Sequence, residues 1–347
     1  MAFRIGEREI GAGHPPFIIL EAGINHNGEL EKAKEMIAVA KEAGADAIKF
    51  QTFKADEFVA DPKQMFTYRS QGKEITESML EMFRRYEFSR AEWFEIKSFC
   101  DATGITFMSS PQNVSDMELL VEIGVPALKV GSDDFTNLPL LERYCETGLP
   151  IILSCGMSDL GEVFAALKTT GALDGKPVAL LVCTSEYPSP PESVNILRTR
   201  TLLSAFPNIV VGFSDHTQGN VAAAMSVALG GHIFEKHFTL SHDLAGPDHW
   251  FSEDPAGAAS WIKDVRKAHQ MLGTGDVSPT AVELQNKREF QRVLVATHPV
   301  PKGKIIEADD VTTRRVSGGE GWPPSMMSYL IGRPAPRDFN SQEPFGL

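Results

Sequence analysis

Residues 17–52 read FIILEAGINHNGELEKAKEMIAVAKEAGADAIKFQT. An apolar, β-branched run at 17–22 is followed by the polar turn Asn25-His26-Asn27-Gly28. Leu30, Ala33, Ile37 and Ala40 then recur at i, i+3, i+7 and i+10, which places one apolar stripe on a helix that Gly44 ends. A second apolar run follows at 47–50, so the segment spells strand, turn, helix, strand. Similar runs at 105–109, 127–131, 151–155, 178–183, 209–214 and 232–237 bring the total to eight. Strands alternating with helices pair in parallel. Eight such units fit an α/β fold of the (β/α)8 TIM-barrel kind better than an open doubly wound sheet, which has fewer strands and a GxGxxG turn after the first.

Working outward, residues 3–6 and 9–11 alternate around a turn, as expected of a small hairpin closing one barrel end. About 55 residues separate the second and third runs, too many for a structureless loop. Within that insertion 64–72 reads as polar and irregular, and 78–86 and 90–102 read as helices, so it is expected to fold over the other end. A helical pattern spans 255–272. The Gly-, Thr- and Ser-rich stretch from 273 then opens a linker, placed at 273–286. A strand at 292–297 and the turn Pro301-Lys302-Gly303 mark residues 287–347 as a separate, compact, β-rich domain. The barrel with its hairpin accounts for 1–272.

The 347 residues are 42% hydrophobic and 23% charged, an ordinary globular composition. A net charge of −13 disfavours nucleic acid and anionic membranes as partners, so any anionic ligand needs local positive charge. Cys100, Cys145, Cys155 and Cys183 form no CxxC pair, and no apolar run approaches the roughly 18 residues of a membrane helix. A soluble, cytoplasmic protein in a reducing compartment is expected.

Barrel chemistry sits at strand C-termini, and these tips are polar. They carry Glu21; Lys49 and Gln51; Ser109 and Ser110; Lys129 and Ser132; Ser185 and Tyr187; Ser214 and His216; Glu235 and His237. One lysine inside an apolar strand would read as a structural ion pair with Glu21 or Asp134. Two on separate strands at one mouth point instead to an anion site, with Ser110, Ser132 and Ser214 as neutral donors. His216 and His237, on neighbouring strands, fall within reach of one divalent ion, with Asp215, Glu235 and Asp248 to complete coordination or orient the rings. His26 and His249, in loops, are expected to be solvated. Gly246-Pro247-Asp248-His249-Trp250 suits either a sugar grip or plain loop chemistry. Arg314-Arg315 reads as a solvated basic pair.

The segments Glu21-Ala-Gly-Ile-Asn25-His26-Asn27-Gly28, Gly44-Ala-Asp-Ala-Ile-Lys49-Phe-Gln51-Thr, Lys129-Val-Gly-Ser132, Gly212-Phe-Ser214-Asp215-His216-Thr, Glu235-Lys-His237-Phe-Thr and Gly246-Pro-Asp248 together resemble the sialic acid synthase family. This family condenses phosphoenolpyruvate with an N-acylated hexosamine and releases phosphate. The tail resembles its C-terminal antifreeze-like (SAF, β-clip) domain. The resemblance implies a Mn²⁺ or Mg²⁺ ion at His216 and His237, and phosphoenolpyruvate on Lys49, Lys129, Ser110, Ser132 and Ser214. It implies sugar contacts from Glu21, Gln51, Tyr187 and Asp248, with Ser185 standing where the family commonly has Asn. Proton handling falls to Glu235 or Asp134. Thr313-Arg314-Arg315-Val-Ser-Gly-Gly matches the segment whose arginine enters the partner subunit's site, which implies a domain-swapped homodimer using Arg315. Ser110, Asp133-Asp134-Phe135 and Val316 depart from the family pattern. The Ser185 and Asp133-Asp134-Phe135 departures leave the acceptor open among N-acetylmannosamine, its 6-phosphate and 6-deoxy diacetamido sugars. Two other readings stand beside this one: a ketodeoxy-sugar phosphate synthase or an aldolase forming an imine through Lys49 or Lys129, and a sugar-binding protein without catalysis.

Overall fold

The computed structural model describes residues 2–346, and contacts divide them after Leu272 into two compact units. The first opens with a hairpin of β1 (Ala2–Ile5) and β2 (Arg8–Gly11). Eight parallel strands follow: β3 (Phe17–Gly23), β4 (Ala47–Thr52), β7 (Thr106–Pro111), β8 (Leu128–Val130), β9 (Ile151–Ser154), β10 (Val178–Cys183), β11 (Val210–Asp215) and β12 (Ile233–His237). They run in the order β7-β4-β3-β12-β11-β10-β9-β8, and the two outermost strands lie against each other to bring the ring almost to closure. This is the (β/α)8 barrel.

Helix α1 (Leu30–Ala43) ends at Gly44, whose φ of +93° is the left-handed stop that residue permits. Helices α5 (Val114–Ile123), α6 (Leu138–Cys145), α7 (Leu160–Thr169), α8 (Pro191–Val194), α9 (Arg198–Ala205) and α10 (Val221–Ala228) lie between the later strands, and α11 (Pro255–Met271) follows the last of them.

Because strand side chains alternate in direction, each strand feeds two different cores. Ile18, Leu20, Ile48, Phe50, Leu153 and Val211 face the helices. Their neighbours Ile19, Ala47, Met108, Ala127, Ile152, Leu181, Val210 and Ile233 fill the barrel interior, where Phe3, Ile5 and Ile10 of the hairpin plug the N-terminal end.

The insertion between β4 and β7 holds α2 (Ala55–Phe58), β5 (Met65–Ser70), β6 (Lys73–Ser78), α3 (Met79–Tyr86) and α4 (Arg90–Thr103). The stretch 64–72 is therefore not irregular. Gln71 and Gly72, both at positive φ, make a two-residue turn that pairs β5 with β6. The aromatic and aliphatic residues Phe66, Tyr68 and Ile75 supplied the strand signal; the charged residues around them masked it.

The second unit packs Leu294, Val300, Ile306, Phe339 and Phe345 around a two-stranded pair, β13 (Val293–Ala296) and β14 (Val311–Arg314). Its start is not a plain linker to residue 286. Helix α12 (Ala281–Phe290) begins inside that stretch, with Thr280 and Glu283 forming a reciprocal capping box. Among the described residues no helix is long and apolar enough to cross a membrane, and all four cysteines are free.

Candidate active site

Two residues beyond the inner apolar layer, on the same face of each strand, the side chains turn polar. Ile19 leads to Glu21, Ala47 to Lys49, Met108 to Ser110, Ala127 to Lys129, Ile152 to Ser154, Leu181 to Cys183 and Ile233 to Glu235. All of these line one cavity of about 400 Å³ at the C-terminal mouth. Gln51, Ser132, Ser185, Tyr187, Ser214, His216 and His237 line it as well. One residue missed in the sequence, Ser154, had the same signal as the rest, a polar side chain closing an apolar run.

The floor is a network of buried charge. Lys49 and Lys129 are 3% and 2% exposed. The Lys49 ammonium lies 2.7 Å from Glu21 Oε2 and 3.7 Å from Glu235 Oε2, and donates to Ser110 Oγ at 3.2 Å. Lys129 donates to Ser154 Oγ at 2.8 Å and to the Val130 carbonyl at 2.9 Å, and stands 3.6 Å from Glu235 Oε1. Ser214 Oγ donates to the same Oε1 at 3.0 Å.

Burial pushes the Glu21 carboxyl up toward neutrality against the pull of Lys49. Burial would raise Glu235 too, but Lys129 and Lys49 outweigh it and hold that group below the usual carboxylate range. Lys129 is pushed down by burial, whereas for Lys49 the carboxylates beside it overcome the same burial and raise it. A floor with two ammonium groups and one dependable carboxylate is suited to a small, multiply charged anion.

His216 and His237 stand on the next two strand ends, with ring centres 5.4 Å apart. Tyr187 packs on His216 at 4.2 Å, and Phe251 lies 5.2 Å from His237. His216 Nδ1 faces the Thr184 carbonyl at 2.7 Å, which leaves Nε2 free toward the cavity. His237 Nδ1 is buried without a hydrogen-bond partner. Imidazoles on one ion at about 2.1 Å place their ring centres within roughly 6 Å, so the pair fits a shared divalent ion. Among the described residues no third His, Cys, Asp or Glu joins them. Such an ion would take its remaining ligands from water or substrate oxygen, as hard cations do.

Asp215 and Lys236 sit between the cavity residues of their strands and so point the other way, toward α11. Asp215 does not orient the histidine rings. It accepts from Lys236 at 3.0 Å, Trp261 Nε1 at 2.9 Å, and both the N–H and hydroxyl of Thr217.

Asp134 does not reach the cavity; Asp133 lines it. The Asp134 carboxylate is occupied at the entry to the next helix, accepting from Asn137 Nδ2 at 3.0 Å. Asp248 lies beside the site: a Cβ on Gly23 would sit 3.4 Å from Glu21 Oε1, 3.6 Å from Gln51 Nε2 and 3.8 Å from Asp248 Oδ2. Burial raises its carboxyl to about 6.

His26 and His249 are not solvated, being 0% and 1% exposed. His26 Nδ1 accepts from Gly28 N at 3.0 Å and its ring stacks on Phe88, while His249 bridges Thr239 and Asn27. Phe88 of the insertion covers His26. Arg315 belongs to the second unit, where it is exposed and stands 5.9 Å over Phe290. Phe53, Phe58, Phe83 and Met157 line the cavity and were not anticipated; three of them lie in the insertion or on the loop that joins β4 to it.

Residues 36–277 match the NeuB family and residues 291–346 the SAF domain. An N,N'-diacetyllegionaminic acid synthase of Legionella pneumophila is 36% identical over 94% of this chain and 92% of its own length. The N-acetylneuraminate-9-phosphate synthase of Homo sapiens is 33% identical over 94% and 90%. A crystal structure of N-acetylneuraminic acid synthetase from Leptospira borgpetersenii, in complex with citrate, is 31% identical. It superposes with a TM-score of 0.74, covering 84% of this chain and 97% of that one.

Proposed function

The chain belongs to the NeuB family and carries a C-terminal SAF domain, and from that premise we propose that it is a nonulosonic acid synthase condensing phosphoenolpyruvate with the open-chain form of an N-acylated amino hexose. The observation that carries this reading is the buried Lys49–Lys129–Glu21–Glu235 floor beside the facing rings of His216 and His237.

Phosphoenolpyruvate would place its phosphate and carboxylate on Lys49 and Lys129, with the hydroxyls of Ser110, Ser132, Ser154 and Ser214 as neutral donors. Glu21, Gln51, Ser185, Tyr187 and Asp248 would hold the hydroxyl and N-acyl groups of the sugar. Ser132 and Ser185 converge over Gly156, where no side chain intervenes.

C3 of the enol attacks the aldehyde carbon, and the carbonyl electron pair moves to its oxygen, which takes a proton. Water adds to the electron-poor C2, and the bond from C2 to the phosphate oxygen breaks, so inorganic phosphate leaves. Glu235, held 3.6 Å from Lys129 and 3.7 Å from Lys49, is placed to accept the proton of that water. A Mn²⁺ or Mg²⁺ ion on His216 and His237 would supply Lewis-acid polarisation of the aldehyde. A second copy of the chain would deliver Arg315 to this mouth in a swapped dimer. Light scattering should then give a dimer, and Arg315→Ala should lose activity without losing the dimer.

Phosphate release from phosphoenolpyruvate with Mn²⁺ and a panel of N-acylhexosamines, with mass detection of the condensed acid, tests the reading. No turnover across the panel overturns it. Lys129, pushed down by burial, is the lysine an imine-forming aldolase would use; borohydride trapping with pyruvate would reveal that chemistry instead.

A further inference from the structure

Resting on that reading, we infer that the cavity selects an acceptor whose end remote from the aldehyde is uncharged and carries an apolar group, and that Phe53, Phe58 and Phe83 make the selection. The alternative is a sugar phosphorylated at that end.

The three rings form one wall. Phe53 follows the tip of β4, Phe58 ends α2 and Phe83 lies within α3. Phe83 meets each of the other two edge-on, with centroids 5.0 Å apart, and Phe53 and Phe58 are 6.4 Å apart. The wall is braced from behind. Phe53 packs with Ile24, Met82 and Tyr86, and Phe58 and Phe83 pack against a cluster of Ala55, Val59 and Leu80. These rings are therefore a fixed apolar surface, and aromatic faces bind methyl and C–H groups well.

Charge decides against a phosphate. Among the described residues lining the cavity, only Lys49 and Lys129 are ammonium or guanidinium groups, and both are committed to the floor. The cations next to these rings in sequence are turned to carboxylates. Lys54 pairs with Glu57 at 3.2 Å, Arg84 with Glu81 and Asp56, and Arg85 with both oxygens of Glu77 at 2.7 and 2.6 Å. The remaining lining charge at the mouth is the carboxylate of Asp133. A phosphomonoester, carrying about −1.5 to −2 at pH 7, would meet aromatic rings at this wall with no cation of the same copy's cavity free to replace its water. A 6-deoxy methyl or an N-acyl methyl would meet a surface that matches it.

The test compares kcat/KM for three acceptors with the full-length protein, phosphoenolpyruvate and Mn²⁺: a 6-deoxy diacetamido hexose, N-acetylmannosamine, and N-acetylmannosamine 6-phosphate. The expected order is as written, with the phosphorylated sugar disfavoured roughly a hundredfold against the first. Phe83→Arg should narrow that gap about tenfold by supplying a partner for the phosphate, whereas Phe83→Leu should leave it wide. Phe58→Lys is the second route to the same result if Phe83→Arg does not fold. Equal or better use of the 6-phosphate by the wild type overturns the inference, whether the phosphate is held at this wall or by an arginine of a second copy. Turnover of none of the three sinks the condensation reading and this inference with it, so the two failures are distinguishable.

Discussion

Lys236→Met is expected to cost the barrel about 3–5 kcal/mol, because it strips the counter-charge from a buried carboxylate. The Lys236 ammonium is 3% exposed and donates to Asp215 Oδ2 at 3.0 Å, the Thr217 carbonyl at 2.7 Å and the Gly219 carbonyl at 3.0 Å, with Glu253 at 3.5 Å. Two unit charges at that 3.0 Å separation attract by about 5 kcal/mol at an effective dielectric near 20. Without the lysine, Asp215 keeps three neutral donors but no cation, and the buried Thr217 carbonyl loses a partner.

For a domain of this size the loss corresponds to a melting temperature lower by roughly 5–9 °C. Thermal unfolding of the full chain, followed by tryptophan fluorescence, reads it directly, since Trp261 is part of the network. Lys236→Met combined with Asp215→Asn should be milder than the sum of the two single changes by about 1–3 kcal/mol, because the orphaned charge is gone. A melting temperature within about 2 °C of the wild type, or strict additivity, would refute the claim that this pair fastens the ends of β11 and β12 behind the histidines.

Other outcomes can be checked with the same preparations. Gly28→Ala places a methyl on the carbonyl oxygen of Arg85 at a φ of +71°; the backbone term alone should cost roughly 1–3 kcal/mol, and an unchanged melting temperature would show that the insertion yields freely. His26 is held by burial at a pKa of about 3 against an ordinary 6.5. The unfolded chain therefore takes up a proton that the fold refuses, and stability is unaffected above about pH 6.5 and declines as the pH falls from there toward 3. The full span is worth at most roughly 4–5 kcal/mol. His26→Gln, which keeps an acceptor for Gly28 N, should flatten this part of the profile, and an identical acid slope in wild type and variant would count against it. His216→Ala should abolish Mn²⁺ binding in calorimetry while the far-UV circular dichroism is retained; undiminished affinity would remove the ion from these residues.

The sequence alone determined the barrel and most of its mouth, because both are written in local periods. Alternating strand and helix patterns fixed the architecture. The period of two within each run put Glu21, Lys49, Ser110, Lys129, Ser214, His216, Glu235 and His237 on the cavity side. Tertiary structure decided what a period cannot encode, namely which distant group each charge meets. Lys49 found Glu21 and Glu235 rather than Asp134, and Asp215 turned from the histidines to Lys236 and Trp261. His26 was covered by Phe88 of the insertion, His249 was tied to Asn27 from the far end of the barrel sequence, and Phe58 and Phe83 entered the cavity from that same insertion. Side-chain direction is local to a strand; burial, ion pairing and the shape of a cavity are properties of segments brought together from far apart along the chain.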